Sequence, residues 1–261
     1  MSNSSHIPLK KKFGQHFLRR EGYVFQMLDH VSLDETSSVF EIGGGDGFLT
    51  RLILQQTPIK RLWVFEIDQE WVNYLQETIH DPRLTVHDAN ILDIDFSIFE
   101  PNKPWTLLAN LPYQITFPIL QRLKEHRHLI KEGVIMMQEE VAQKILKTHG
   151  RGYGFPSLYF QYYFEWQALS KIPPTAFKPP PKVFSRLLHF KPRKELEPIP
   201  DEENFWKFIK VCFRQPRRTL RNNLMQAHFE WDAIPEEYLK LRAQQLSFKD
   251  FLELWEMIRE R

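Results

Sequence analysis

The sequence predicts an α/β fold, a mostly parallel sheet flanked by helices, followed by a small all-helical C-terminal domain. Two observations predict it. Between Val24 and Lys147, short β-rich runs alternate with stretches whose apolar residues recur at helical spacing. After a proline-rich, charged stretch from Lys191 to Asn204, the chain shows helical periods only. The expected domains are therefore residues 1–192 and 193–261.

The elements follow in order. Phe13-Gly14-Gln15-His16-Phe17-Leu18 precedes an opening helix marked by Val24, Met27, Leu28 and Val31. Ser38–Ile42 reads as a strand running into Gly43-Gly44-Gly45-Asp46-Gly47, after which Phe48, Leu49, Leu52 and Ile53 resume a helical period. Glycine permits positive φ and close approach of backbone to a ligand, and the helix start presents free N–H groups. A second strand, Arg61–Phe65, ends at Glu66, and a third, Arg83–His87, ends at Asp88. The fourth, Trp105–Ala109, delivers Asn110-Leu111-Pro112-Tyr113. Each of these strands ends in a glycine or polar element, and in open α/β sheets ligands bind at such ends.

Further along, Ile115–Leu123 reads as a helix, Gly133–Met137 as a fifth strand, and Glu139–Lys147 as another helix. Ser157–Phe164 is aromatic and ambiguous between helix and strand, and a proline-dense run, 173–182, leads to a final strand at Val183–Phe190. The two β segments around that run are expected to pair as an antiparallel hairpin at the sheet edge. The last helix has a start signal in Ser247 and Asp250, followed by Phe251, Leu252, Trp255 and Ile258.

Composition narrows the class. At 261 residues and 42% hydrophobic content the chain supports a sizeable core. No apolar run approaches a bilayer span and the polar, basic start has no signal-like apolar stretch, so a cytoplasmic protein is expected. A single cysteine, Cys212, excludes an internal disulfide and a Cys-based zinc site, and no metal centre is expected. The net charge is only +2, but it is unevenly spread. Lys10, Lys11, Lys12, Arg19 and Arg20 precede the first acidic residue, and Phe205–Phe229 carries Lys207, Lys210, Arg214, Arg217, Arg218 and Arg221 with no acid. Two such segments suggest a polyanion partner.

The strand ends suggest the chemistry. Gly43, Gly45 and Gly47 do not complete a dinucleotide fingerprint, because Phe48 stands where the third glycine belongs. Glu66 suits a pair of ribose hydroxyls. In the tetrad, an Asn side-chain oxygen can accept from an exocyclic amine, Pro fixes the bend, and the Tyr ring offers a stacking face.

Five segments now resemble, in order, the motifs of the small-subunit (16S) rRNA adenine N6,N6-dimethyltransferases. They are 13–18, 41–50, 110–113, 179–183 and 217–222, spanning nearly the whole chain. The chain departs from the family at Gly44, where Pro is usual, and at His16, where Asn is frequent. The resemblance implies a Rossmann-like S-adenosylmethionine-dependent methyltransferase fold, a mostly parallel seven-stranded sheet with a terminal antiparallel strand. It implies a cofactor site at Gln15, His16, Leu18, Gly43, Gly45, Glu66, Asp88 and Asn110, and a catalytic set of Asn110, Leu111, Pro112, Tyr113 and Phe177. In that set the Asn110 oxygen and Leu111 carbonyl accept from the target N6, while Tyr113 and Phe177 stack on the base. RNA contacts are expected from Lys10, Lys11, Lys12, Arg214, Arg217, Arg218 and Arg221. The implied substrate is a pair of adjacent adenosines in a hairpin loop near the 3′ end of small-subunit rRNA, presented by a partly assembled 30S subunit to a monomeric enzyme. Large-subunit dimethyltransferases of the macrolide-resistance type share the catalytic motifs and are one alternative; another is a ribosome-assembly factor that binds immature subunits and whose methylation is incidental, and the two roles can coexist. A DNA adenine methyltransferase fits less well, since its tetrad usually carries Pro-Pro where this chain has Leu-Pro.

Overall fold

The polar strand ends foreseen in the sequence meet along one edge of a sheet. In this computed structural model, which describes residues 7–8, 10, 13–225 and 231–259, the elements follow in chain order. They are β1 (Phe17–Leu18), α1 (Glu21–Asp29), β2 (Ser38–Ile42), α2 (Phe48–Gln56), β3 (Arg61–Glu66), α3 (Gln69–Thr78), β4 (Leu84–Asp88), β5 (Trp105–Asn110), α4 (Thr116–Glu125) and β6 (Ile130–Gln138). Then come α5 (Glu139–Leu146), α6 (Phe155–Tyr163), β7 (Phe164–Ile172), β8 (Phe177–Lys178), β9 (Ser185–Pro192), α7 (Glu202–Cys212), α8 (Leu220–Leu224), α9 (Glu236–Leu239) and α10 (Phe248–Arg259). The chain divides into two compact units, Met1–Ala142 with Glu165–Pro192, and Gln143–Phe164 with Arg193–Arg261.

The first unit is built on a seven-stranded sheet in the order β4-β3-β2-β5-β6-β9-β7. The pairs β2/β3, β2/β5, β3/β4 and β5/β6 are parallel, and β9 runs antiparallel to β6. All of β2 is buried, and its Val and Phe side chains suit a strand covered on both faces. The chain moves outward from β2 through β3 to β4, then returns past β2 to β5. The strand order therefore reverses between β2 and β5, which opens the crevice where such sheets hold ligands. Gly43, Glu66, Asp88 and Asn110 lie at or just beyond the carboxyl ends of these strands, with Glu66 and Asp88 opposite each other in register. Behind the site, α3 starts cleanly because the Asp68 side chain accepts from the Glu70 N–H.

The two β segments flanking the proline-dense run do pair at the sheet edge, as β7 and β9, but the first of them starts only at Phe164, after a helix. Pro156 in the first turn and the Gly154 N–H donating to Ser157 Oγ start a helix through Tyr163, and β7 begins at Phe164. The last strand, β9, lies between β6 and β7, so the antiparallel strand is interior and β7 forms the edge. A further small pairing, β1 with β8, sets Leu18 opposite Phe177.

In the second unit, aromatic packing explains why residues 143–164, expected within the first domain, group with the C-terminal helices. Tyr159, Tyr162 and Tyr163 of α6 surround Trp206 of α7 at ring-centroid distances of 4.9, 5.5 and 6.0 Å. From α10, Phe251 and Trp255 pack on Phe208. That helix opens with the expected box: Ser247 N–H donates to Asp250, and the Asp250 N–H donates back to Ser247 Oγ. Cys212 is buried. Among the described residues no helix is long and apolar enough to cross a membrane.

Candidate active site

A cleft of about 180 Å³ opens at the carboxyl edge of the first unit's sheet. Its wall combines three of the sequence motifs, with Gln15 and His16, Gly43 and Gly45, and the whole tetrad Asn110 to Tyr113 lining it, together with Glu66 and Asn90.

The glycine loop forms one side. Gly45 adopts φ +50°, and a Cβ there would stand 2.5 Å from Phe17 Cε1, so both conformation and space demand glycine. Its N–H donates to Glu66 Oε2 at 2.8 Å, while Glu66 Oε1 accepts from the Ile67 and Asp68 N–H groups, both at 2.9 Å. Glu66 is only 6% exposed. Burial raises its pKa above the ordinary carboxylate value, opposed by those three backbone donors. The carboxylate thus locks the loop to the β3–α3 turn and still lines the cleft.

Gly44 has a separate cause. A Cβ at this position would lie 2.5 Å from Val64 Cγ1 and 2.8 Å from Leu75 Cδ1, so the room a larger residue needs is already filled. Glu41, which opens the motif, sits under the loop rather than on the cleft wall. It accepts from Thr50 Oγ1 at 2.7 Å, and burial pushes its pKa well up. Asp46 is held by Arg19 at 2.6 Å, which fastens the loop to the N-terminal segment.

Opposite lies the tetrad. The Asn110 Nδ2 donates to the His16 carbonyl at 2.9 Å. A carbonyl only accepts, so the amide nitrogen must face it and Oδ1 is left as the acceptor on the remaining side. The Leu111 N–H donates to Met136 O at 3.1 Å, placing this residue at the end of the ladder with β6. The Tyr113 hydroxyl lies 2.6 Å from Ser185 Oγ at the start of β9.

Other expected residues fall differently. Gln15 lines the cleft, but its side chain accepts from the Lys10 N–H at 2.8 Å and donates to Asp68 at 3.0 Å. Lys10 was expected on RNA phosphate, yet its ammonium is paired with Asp68 at 2.5 Å and Glu70 at 3.4 Å, and the Asp68 bond raises its pKa. Lys11 and Lys12 lie outside the described residues. Asp88 is exposed at the end of β4 and is not part of the cleft lining, and neither is Leu18, which is buried in β1. Phe177 is 5% exposed and belongs to the apolar cluster formed with Leu18, Ala176 and Leu187, so it does not line the cleft either. In the second unit Arg214, Arg217 and Arg218 are exposed, whereas Arg221 pairs with Glu236 and lies 5.7 Å from the Trp231 ring centroid. Sequence reasoning overlooked Asp68, Ser185 and the Arg19 to Asp46 pair. Asp68 carried a weak signal as the acid just before a helix, but Ser185 carried none. Among the described residues no His, Cys, Asp and Glu grouping is suited to a metal ion.

A glycine-floored cleft at the carboxyl edge of this sheet places the chain among the Rossmann-like methyltransferases. Two solved structures share the fold over most of their length. One is a dimethyladenosine transferase from Plasmodium falciparum, with a TM-score of 0.76 at 21% identity, covering 92% of this chain and 96% of that one. The other is the 23S rRNA methyltransferase ErmE, with a TM-score of 0.72 at 22% identity, covering 93% and 99%. The chain belongs to the ribosomal RNA adenine dimethylase family, whose pattern matches residues 7–259. Among curated relatives, "Ribosomal RNA small subunit methyltransferase A" of Chlorobium phaeobacteroides is 35% identical, over 97% of this chain and 92% of its own length. The protein of the same name from Syntrophotalea carbinolica is 36% identical, over 97% and 98%. The family's cofactor is S-adenosylmethionine.

Proposed function

We propose that this chain dimethylates the N6 amines of two adjacent adenosines in a hairpin loop near the 3′ end of small-subunit rRNA, using S-adenosylmethionine. The orientation of the Asn110 amide carries the reading, since its NH2 faces the His16 carbonyl and its oxygen is the group left for an incoming amine. Relatives at 35% and 36% identity bear small-subunit names, while the likeness to the 23S enzyme lies in the fold.

The cleft fits the cofactor by its own residues. The Gly43 and Gly45 backbones leave no side chain in the way, and Glu66 offers carboxylate oxygens to ribose hydroxyls at the end of β3. Asp88, opposite Glu66 in register, is proposed for the cofactor's adenine amine, with Gln15 around the remainder, while Asn110 and the His16 ring are assigned to the acceptor side and Leu18, buried in β1, stays off the cleft wall. The cofactor supplies an electrophilic methyl group on a sulfonium. On the acceptor side, the N6 lone pair of adenine is delocalised into the ring and is a poor nucleophile. Acceptance of both N6 hydrogens by Asn110 Oδ1 and the Leu111 carbonyl favours a more tetrahedral nitrogen with its lone pair turned out of the ring. This is positioning and electrostatics rather than covalent catalysis. Tyr113 supplies a stacking face. A second face from Phe177 requires that ring to leave its apolar cluster.

An adenine inside a duplex cannot reach such a cleft, so the target is unpaired or flipped out. Arg214, Arg217 and Arg218 are proposed to hold RNA phosphates. The enzyme is proposed to act as a monomer on partly assembled 30S subunits, in the cytoplasm, where an assembly role accompanies methylation. The test is transfer of labelled methyl groups to small subunits lacking the modification, followed by mapping of the methylated nucleotides. Two adjacent dimethylated adenosines are expected. Cofactor binding without methyl transfer would leave the assembly role and remove the enzymatic one.

A further inference from the structure

His16 is tied to the acceptor side of the cleft through three separate contacts. Its backbone oxygen accepts from Asn110 Nδ2 at 2.9 Å. Its ring Nδ1 stands 2.9 Å from the Pro179 carbonyl, and because that oxygen can only accept, Nδ1 carries the proton and donates. The imidazole also lies nearly parallel to the Tyr113 ring, at an interplanar angle of 26° and a centroid distance of 6.2 Å. A single residue therefore joins the tetrad to the proline-rich segment.

The other end of that segment is tied in the same direction. Ser185 follows it directly, and its hydroxyl meets Tyr113 at 2.6 Å. The stretch from Pro179 to Ser185 is thus pinned at both ends against residues that touch the tetrad or belong to it. Losing the His16 donor would leave that end held only by the β1 and β8 pairing at Lys178, which loosens Pro179 and the segment after it without emptying the glycine loop or moving Glu66.

We propose that His16 is a positioning residue for the methyl acceptor. Its Nδ1–H holds the proline segment, its carbonyl turns the Asn110 oxygen toward the target, and the two form one wall for the base. The proposal rests on the reading in which Asn110 receives the target amine, and it places the ring's effect on the RNA side rather than on cofactor affinity.

The experiment measures kcat on undermethylated small subunits, S-adenosylhomocysteine binding by calorimetry and the thermal midpoint, for His16→Ala, His16→Phe and His16→Asn. Phe keeps an aromatic ring but has no donor, and Asn keeps an N–H donor. The expected result is a fall in kcat on the order of 10-fold or more for Ala and Phe, since a displaced wall misplaces the base. S-adenosylhomocysteine affinity should stay within about threefold, and Asn should recover most of the rate. A Phe variant with wild-type kcat would show the hydrogen bond to be idle and overturn the proposal. So would affinity for S-adenosylhomocysteine that falls as far as kcat. If Ala does not fold, the comparison of Phe with Asn decides alone. Asn110→Ala, run in parallel, separates the two failures: a wild-type rate there removes the tetrad reading itself, whereas loss there with an active Phe variant removes only the role of His16.

Discussion

Tyr113 and Ser185, 72 residues apart in sequence, bring their hydroxyls within 2.6 Å of each other behind the cleft wall that Tyr113 lines. Ser185 is fully buried, so its hydroxyl depends on this partner. Tyr113→Phe keeps the stacking ring but strands that hydroxyl, at a cost to stability of about 1–3 kcal/mol. Adding Ser185→Ala should return part of that loss, which a double-mutant cycle from denaturant melts measures. Tyr113→Ala should lose more activity than Tyr113→Phe, because base stacking is worth about 1–3 kcal/mol. Equal losses of kcat/KM in the two variants would show that the ring is not a stacking face.

Asn110→Ala removes the amide oxygen and releases the His16 carbonyl, but leaves the glycine loop and Glu66 untouched. Methylation should fall about 100-fold or more, the cost of deleting one transition-state acceptor, with cofactor affinity near normal. Calorimetry beside single-turnover methylation checks this. Loss of affinity in step with rate would make Asn110 part of the cofactor site instead.

Much of this site was legible because its parts are local. The glycine loop, Glu66 and the tetrad each follow an apolar run of strand length, and the side chains at such ends must share one edge if the strands are parallel. What escaped was nonlocal. The burial of Phe177 is set by the pairing of β8 with β1, and the neutralisation of Lys10 by Asp68, 58 residues away. The α6 to β7 junction failed for another reason: Tyr159-Phe160-Gln161-Tyr162-Tyr163-Phe164 is apolar on every side, so no period marks where helix gives way to strand. The helix is decided by packing around Trp206.

Gly44→Pro would restore the residue usual in the family and should nonetheless harm this chain. The added atoms meet Val64 and Leu75, both buried, and overpacking of this kind costs about 1–3 kcal/mol. The thermal midpoint should drop, and Val64→Ala in the same chain should recover part of it. An unchanged midpoint in the single variant would show that the β3 and α3 side chains yield freely.

Replacing Arg214, Arg217 and Arg218 by Gln should weaken subunit binding and flatten its salt dependence. Every phosphate that is no longer neutralised lowers the slope of log affinity against log salt by about 0.7–0.9. Arg221→Gln breaks the pair with Glu236 instead, and should change that slope less than any of the three exposed residues. Binding titrations at several salt concentrations read both. An unchanged slope in the triple variant would remove the patch from the RNA interface.

Glu132 gives the sheet an acid-sensitive anchor away from the cleft. This carboxylate on β6 is 1% exposed, and burial alone would raise its pKa. Donors outweigh that: His189 Nε2 at 3.1 Å, the Ser32 N–H at 2.9 Å and the Lys191 ammonium at 3.4 Å hold it at about 2, below the ordinary 4.5. A depressed folded-state value stabilises the native state above pH 4.5, and that contribution shrinks as pH falls toward about 2. A shift of this size corresponds to something on the order of 3 kcal/mol. Glu132→Gln should therefore lower stability at neutral pH and flatten its decline between about pH 5 and pH 2, where the wild-type chain must protonate the group. Chemical denaturation at stepped pH measures the difference. Parallel curves for the two proteins across that window would mean that Glu132 does not govern acid unfolding.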